Sequence, residues 1–335
     1  MTDLRIPSIL TSGYIALDVV QAPAGTWLRA GGTAANVAAT LSWFGWHAAI
    51  VGLLGMDDAG PIVERDLRTA GVDTTGLRLR SDVGTPLILH QIAPSGHQFK
   101  FGCAACGRRY QRHRPLAVRD LDQVLSSDAK ADVLFFDRPT ASALELASAY
   151  RRDGRLVVYE PSSAGRPSAH RRASELANII KFSQERLPLF GDSLGAPRDG
   201  QLWIITAGEA GTRYRIGTEP WRTVDAFHVG ALDAGGAGDW MSAALLTQIV
   251  SMTDWSESAI QSAIRHAQAV AAVSCLVPGA RTLSDVLSLE ELIAEVARLL
   301  AGGTPRLSFR RGPQLIGEDE CPRCRLPLTT SVVSA

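Results

Sequence analysis

A doubly wound α/β fold is predicted for this chain: a mostly parallel sheet with helices on both faces, and a small β-sheet lid. Two observations carry the prediction. Short apolar, β-rich runs alternate with alanine-rich helical segments along most of the sequence, the pattern of a parallel sheet whose crossovers are helices. Two stretches, 13–30 and 85–102, break the rhythm with strand–turn–strand character. They predict a separate sheet standing off the main layer.

In chain order, the 13–30 hairpin leads to a helix over 34–44, a strand over 48–54 and a helix over 62–70. The second hairpin turns on Pro94, Ser95, Gly96 and His97, residues that favour tight turns. Strands then follow at 133–136, 156–159, 178–182 and 202–206, with helices at 141–151, 240–249 and 256–273. Residues 1–300 read as one domain, with the lid drawn from about 13–30 and 83–110. Residues 301–335 carry Gly302-Gly303, prolines and Arg310-Arg311, and read as a C-terminal extension.

Composition narrows the function. The 335 residues are 46% hydrophobic, enough for a substantial core. The 34 basic and 34 acidic residues cancel, so no general attraction to nucleic acid or membrane is expected. No apolar run reaches the length of a membrane span. The opening MTDLRIPSIL has no extended apolar region or cleavage site, so a cytoplasmic location is expected.

The most informative segment is Asp233-Ala234-Gly235-Gly236-Ala237-Gly238-Asp239, followed by a strong helix former. A glycine loop opening a helix turns several unpaired N–H groups toward one point and makes an anion site. Asp239, at the helix start, would lie beside a bound phosphate and could take a proton from an attacking hydroxyl. The competing reading is an N-cap Asp after a flexible loop.

A second motif, Gly31-Gly32-Thr33-Ala34-Ala35-Asn36-Val37-Ala38, precedes a helix, with Gly45 and Gly55 downstream. Paired glycines let backbone approach a ligand, and Asn36 offers both donor and acceptor. Tight strand–helix packing would explain it equally. Asp18 could grip two neighbouring hydroxyls, or simply end a first strand.

Together these two stretches resemble the signatures of the ribokinase-like (PfkB) carbohydrate kinase family, in the family's order. The resemblance implies an ATP-dependent phosphotransferase acting on an alcohol group of a sugar. It implies Asp239 as base, Gly236, Ala237 and Gly238 as anion hole, and Asp18, Gly31, Gly32 and Asn36 as acceptor contacts. Ala234 stands where the family carries Thr. Thr206, Gly208 and Gly211 resemble the family's nucleotide-contacting T-x-G-x-x-G element, and Asp233 belongs to the phosphate loop. Glu160-Pro161 resembles its D-P element. The N-x-x-E element, which helps hold Mg²⁺, is altered: Ser183 stands for Asn and Arg186 for Glu, with Glu185 one residue earlier. Residues 266–279 resemble the helix and loop that wall the adenine, although ordinary core packing explains most of their side chains. A homodimer formed through the lid is a further implication. A nucleoside kinase is a rival within the family, and a sugar- or nucleotide-binding protein is a rival outside enzymes.

The cysteines lie outside that resemblance. Cys103-Ala104-Ala105-Cys106 and Cys321-Pro322-Arg323-Cys324 both have zinc-knuckle spacing, and two such turns complete a four-thiolate site. A structural Zn²⁺ stapling the tail to the lid is expected, against a redox pair, a disulfide or unrelated thiols. Cys275 is expected to be a buried apolar residue. Arg108, Arg109, Arg112, His113 and Arg114 form a basic cluster that reads either as a solvated loop or as a contact for an acidic substrate.

Overall fold

The computed structural model describes residues 5–22, 25–93, 96–103, 109–125, 130–252 and 254–307. Its strands are β1 (Ser8–Ser12), β2 (Ala16–Ala22), β3 (Gly25–Gly31), β4 (His47–Gly55), β5 (Asp73–Arg80), β6 (Leu87–Ala93), β7 (Gly96–Lys100), β8 (Val133–Phe136), β9 (Leu156–Tyr159), β10 (Ile179–Ser183), β11 (Leu202–Thr206), β12 (Thr212–Ile216) and β13 (Arg222–Val224). The α-helices are α1 (Thr33–Trp43), α2 (Ala59–Thr69), α3 (Asp122–Leu125), α4 (Ala141–Arg152), α5 (Pro167–Leu176), α6 (Leu187–Phe190), α7 (Ala237–Ile249), α8 (Glu257–Ser274), α9 (Leu283–Val286) and α10 (Leu289–Leu300).

The main sheet has nine strands in the order β13-β12-β11-β10-β9-β8-β1-β4-β5. All its pairs are parallel except β11–β12 and β12–β13. A separate sheet runs β3-β2-β6-β7, with β2–β6 parallel and its outer pairs antiparallel. The two hairpins read from the sequence do form one small sheet. Pro94 and Ser95, at the expected turn, lie outside the described residues.

The central strands β8, β9 and β10 are almost wholly apolar and buried, as strands covered on both faces must be. Helices α1 and α7 are apolar all round and buried along most of their length, which places them at the middle of one helical layer. They meet through Trp43 and Phe44 against Trp240, ring centroids 5.6 and 5.9 Å apart. On the outside, α10 is amphipathic and begins with a capping box, Ser288 and Glu291 each accepting from the other's backbone N–H.

Several boundaries differ from the sequence reading. Helix α7 starts three residues before the expected Trp240, because Gly236 at φ 80° supplies the left-handed turn that launches it. Asp18 sits within β2, not at the end of a first strand. Strands β5, β12 and β13 were not expected. Each is rich in Thr and Arg and lies at or next to a sheet edge, where apolar signal is weak.

Candidate active site

The glycine loop delivers Asp239 into the first turn of α7. The Asp239 N–H donates to Gly236 O at 2.9 Å, and the Trp240 N–H to the same oxygen at 3.0 Å. The Asp239 carboxylate is half-buried and accepts from Asn36 Nδ2 at 2.7 Å. Burial pushes its pKa up, and Glu160 adds to the rise. The Asn36 hydrogen bond, Lys181 and Arg186 pull the other way, leaving it at about 7.

Asn36 leads to the other sequence-predicted acceptor residues. Asn36 and Asp18 line one small crevice of about 10 Å³ together with Arg281. A Cβ on Gly31 would lie 2.0–2.3 Å from the Asp18 carboxylate, and one on Gly32 would lie 2.3 Å from Tyr14 O. Both glycines are therefore required by close approach. Asp18 Oδ1 and Asn36 Oδ1 are buried without a hydrogen-bond partner among the described residues. Burial, followed by the charge of Asp239, raises the Asp18 pKa to about 7. Two unsatisfied acceptors facing one crevice suit a ligand rich in hydroxyl donors.

On the other side of Gly238 lies a cleft of about 800 Å³. Thr206, Gly208 and Gly211 line it from the β11 end, Glu185 from the end of β10, and Ala237 and Gly238 from the α7 start. Helix α8 contributes Gln268, Ala271 and Ala272, and Cys275 follows them. Gln268 donates through Nε2 to Thr212 Oγ1 and Val224 O, while its buried Oε1 has no partner among the described residues. The cleft has the size of a nucleotide site. Cys275, expected in the core, is half-buried on its wall because the chain turns there at the end of α8.

A charge pairing that the sequence reading did not expect lies beneath the loop. Lys181, 2% exposed, donates to Glu160 Oε1 at 2.9 Å and to Gly238 O at 3.0 Å. Glu160 also accepts from Ser242. Lys181 thus ties β9 and β10 to the first turn of α7. Glu160 was singled out only through its resemblance to the D-P element, and no local signal linked it to Lys181 in the middle of β10.

Asp233 does not line the nucleotide cleft. Its carboxylate turns inward, accepting from the Gly235 and Gly279 N–H groups at 2.8 and 2.7 Å, and approaches His90 Nε2 of the small sheet at 3.6 Å. The small sheet is held at a second point. Asp66 of α2 accepts from the Ala30 N–H at 2.9 Å and from Arg281 at 2.6 Å, and Arg281 also reaches Ala30 O.

Cys106, Cys321 and Cys324 lie outside the described residues, as does Arg108. Cys103 is buried, 4% exposed. Among the described residues, no group of three or more His, Cys, Asp or Glu side chains could hold a metal ion. None of the described helices is long and apolar enough to cross a membrane.

Known proteins resemble this chain in sequence and in fold. A family model described as pfkB family carbohydrate kinase matches residues 7–286. The probable fructokinase-4 of Arabidopsis thaliana is 28% identical, covering 84% of this chain and 96% of that protein. The aminoimidazole riboside kinase of Salmonella typhimurium is 26% identical, covering 81% and 89%. The crystal structure of fructokinase with bound ATP from Xylella fastidiosa superposes with a TM-score of 0.69 at 22% identity, over 88% of this chain and 99% of that one, a likeness of fold.

Proposed function

The chain belongs to the pfkB family of carbohydrate kinases, ATP-dependent phosphotransferases with an alcohol acceptor, and on that premise we propose that Asp239 is the base that deprotonates the acceptor hydroxyl. The carrying observation is the position of Asp239. It follows Gly238, which lines the nucleotide cleft, and is hydrogen-bonded to Asn36, which lines the acceptor crevice. A hydroxyl held between Asp18 and Asn36 would then face both the carboxylate and a phosphate at the loop.

In this reading Gly236, Ala237 and Gly238 provide backbone N–H groups and the positive end of α7 to the transferring phosphoryl group. Lys181 holds the Gly238 carbonyl from behind and so fixes the loop's shape. Thr206, Gly208 and Gly211 receive the nucleotide, and Asp233 braces the loop by pinning Gly235 to Gly279. A divalent cation, taken as Mg²⁺, supplies charge neutralisation along the phosphates. Glu185 is the carboxylate of the altered N-x-x-E segment that lines the cleft, and Arg186 there adds positive charge. The small sheet acts as a lid, its closed position held by Asp66, Arg281 and His90. Residues 1–300 form the kinase domain, with 301–335 as its extension.

An ATP-consumption screen across sugars and nucleosides tests the proposal, with D239N as control. Turnover by wild type, and its loss in D239N with nucleotide affinity retained, is the expected result. An equally active D239N sinks the assignment of the base. A riboside acceptor is the second reading, supported by the match to aminoimidazole riboside kinase, and the same screen separates it from a sugar. The zinc staple rests on sequence spacing alone. Metal analysis should find about one zinc per chain, lost in C321S/C324S.

A further inference from the structure

We propose that the acceptor carries an anionic group, a carboxylate or a phosphate on a sugar-type skeleton, and that Arg138 grips it. The inference rests on the kinase reading above and names its substrate class.

Strands β1 and β8 are neighbours in the main sheet, yet the chain leaves them in opposite directions. From β1 it passes through β2, β3 and α1 to β4 on one side; from β8 it passes through α4 to β9 on the other. The crevice at their carboxyl ends is the switch point of the sheet, where open α/β folds bind ligands. Tyr14 and Arg138 occupy those two ends. The Arg138 guanidinium lies 4.9 Å from the Tyr14 ring centroid. Tyr14 O is the atom that packs against Gly32, beside Gly31 and the Asp18 carboxylate. Arg138, Tyr14, the glycine pair and Asp18 therefore form one chain of contacts.

Arg138 is partly buried and forms no ion pair among the described residues. The adjacent carboxylate, Asp137, is already committed: Oδ1 accepts from the Tyr14 N–H at 2.7 Å and Oδ2 from Ser162 Oγ at 2.6 Å. Among the described residues Arg138 donates once, through Nη1 to Ser162 Oγ at 2.5 Å, which leaves most of its N–H donors without an acceptor there. Asp137 supplies the nearest negative charge through the shared Ser162 hydroxyl, but the open donors of a half-buried guanidinium still favour an anionic ligand that fills them. A guanidinium fork suits a carboxylate or phosphate in bidentate fashion.

The surroundings agree. A cleft of about 920 Å³ opens beside these contacts, lined by Arg112, His113 and Arg114. The His113 ring meets Tyr14 at 5.8 Å. Burial and Arg138 push His113 down to about 4, so it is neutral near pH 7 and the charge comes from arginine. Arg112 and Arg114 are exposed on the cleft wall. Asp57, Asp58 and Asp82 also line the cleft. Of these, Asp57 is engaged by Thr85 and the Gly60 N–H, and Asp82 by Arg80.

The test compares neutral sugars, sugar acids and sugar monophosphates as acceptors with ATP, in wild type, R138K and R138M. An anionic acceptor should exceed its neutral counterpart by about 100-fold in kcat/KM, as expected for a charge-assisted pair. R138M should abolish that preference mainly through KM, with the KM for ATP unchanged, and R138K should restore part of it. The acid and phosphate arms identify which anion is bound. Thermal shift by each acceptor without nucleotide gives a second readout, independent of turnover. Anions that stabilise wild type but not R138M support the proposal even if phosphorylation fails. Neutral acceptors that match the anions in both proteins overturn it and leave the kinase reading intact.

Discussion

Asn36 and Asp239, 203 positions apart in sequence, are joined by a 2.7 Å hydrogen bond that links the two glycine motifs across the helical layer. The contact orients the carboxylate and offsets part of the rise in its pKa. N36A removes both effects. The expected outcome is a fall of about 10- to 100-fold in kcat/KM for the acceptor, with nucleotide affinity unchanged. Steady-state kinetics with each substrate varied in turn checks it. A matching loss on the ATP side would contradict the division of the site.

The raised pKa of Asp239 gives a pH signature. A base must be ionised to act, so kcat/KM should climb about tenfold per pH unit below pH 7 and level off above it. In D239N the residual rate should lose this dependence.

The same group makes a stability prediction of fixed sign. Its folded pKa of about 7 lies above its ordinary value of 3.8. Between those values the folded state binds the extra proton, so stability falls as pH rises through the window. D239N should therefore melt roughly 2–4 °C above wild type at pH 8, with the gap closing toward pH 4. Thermal unfolding across that range measures it.

Lys181 and Glu160 form a buried ion pair. K181M leaves Glu160 without its cation and the Gly238 carbonyl without its donor. A loss of about 3–5 kcal/mol is expected. E160Q/K181M should lose less, because the uncompensated charge is gone. Denaturant midpoints of the two variants decide between these outcomes.

Gly31 has no room for a side chain, since a Cβ would press into the Asp18 carboxylate. G31A should raise the acceptor KM more than about tenfold by displacing Asp18, while the KM for ATP holds. Equal effects on both substrates would argue for a general loss of folding.

Much of this was legible in the sequence because it depends on local backbone. Glycines at 31 and 32 mark close approaches within the protein and Gly236 the left-handed turn that launches a helix, and alternation of strands and helices marks the parallel sheet. What was not legible depends on partners distant in the chain. Lys181 and Glu160 are twenty-one positions apart, and only the pairing of β9 with β10 brings them beneath the loop. Asp233 looked like a loop carboxylate but is turned inward by the Gly279 N–H. Strands β12 and β13 escaped notice because edge positions tolerate the arginines and threonines they carry.

Helix α7 walls the larger cleft with Ala237, Gly238 and Met241 and carries Asp239 to Asn36 of the small crevice. On one side Trp240 locks against Trp43 and Phe44; on the other the helix packs along α8. The span from donor to acceptor is thus a dimension of the core, set when the helices interlock and indifferent to which alcohol arrives. Changes in the smaller sheet or at Arg138 would then exchange one clientele for another while the length of the phosphoryl group's jump stays constant.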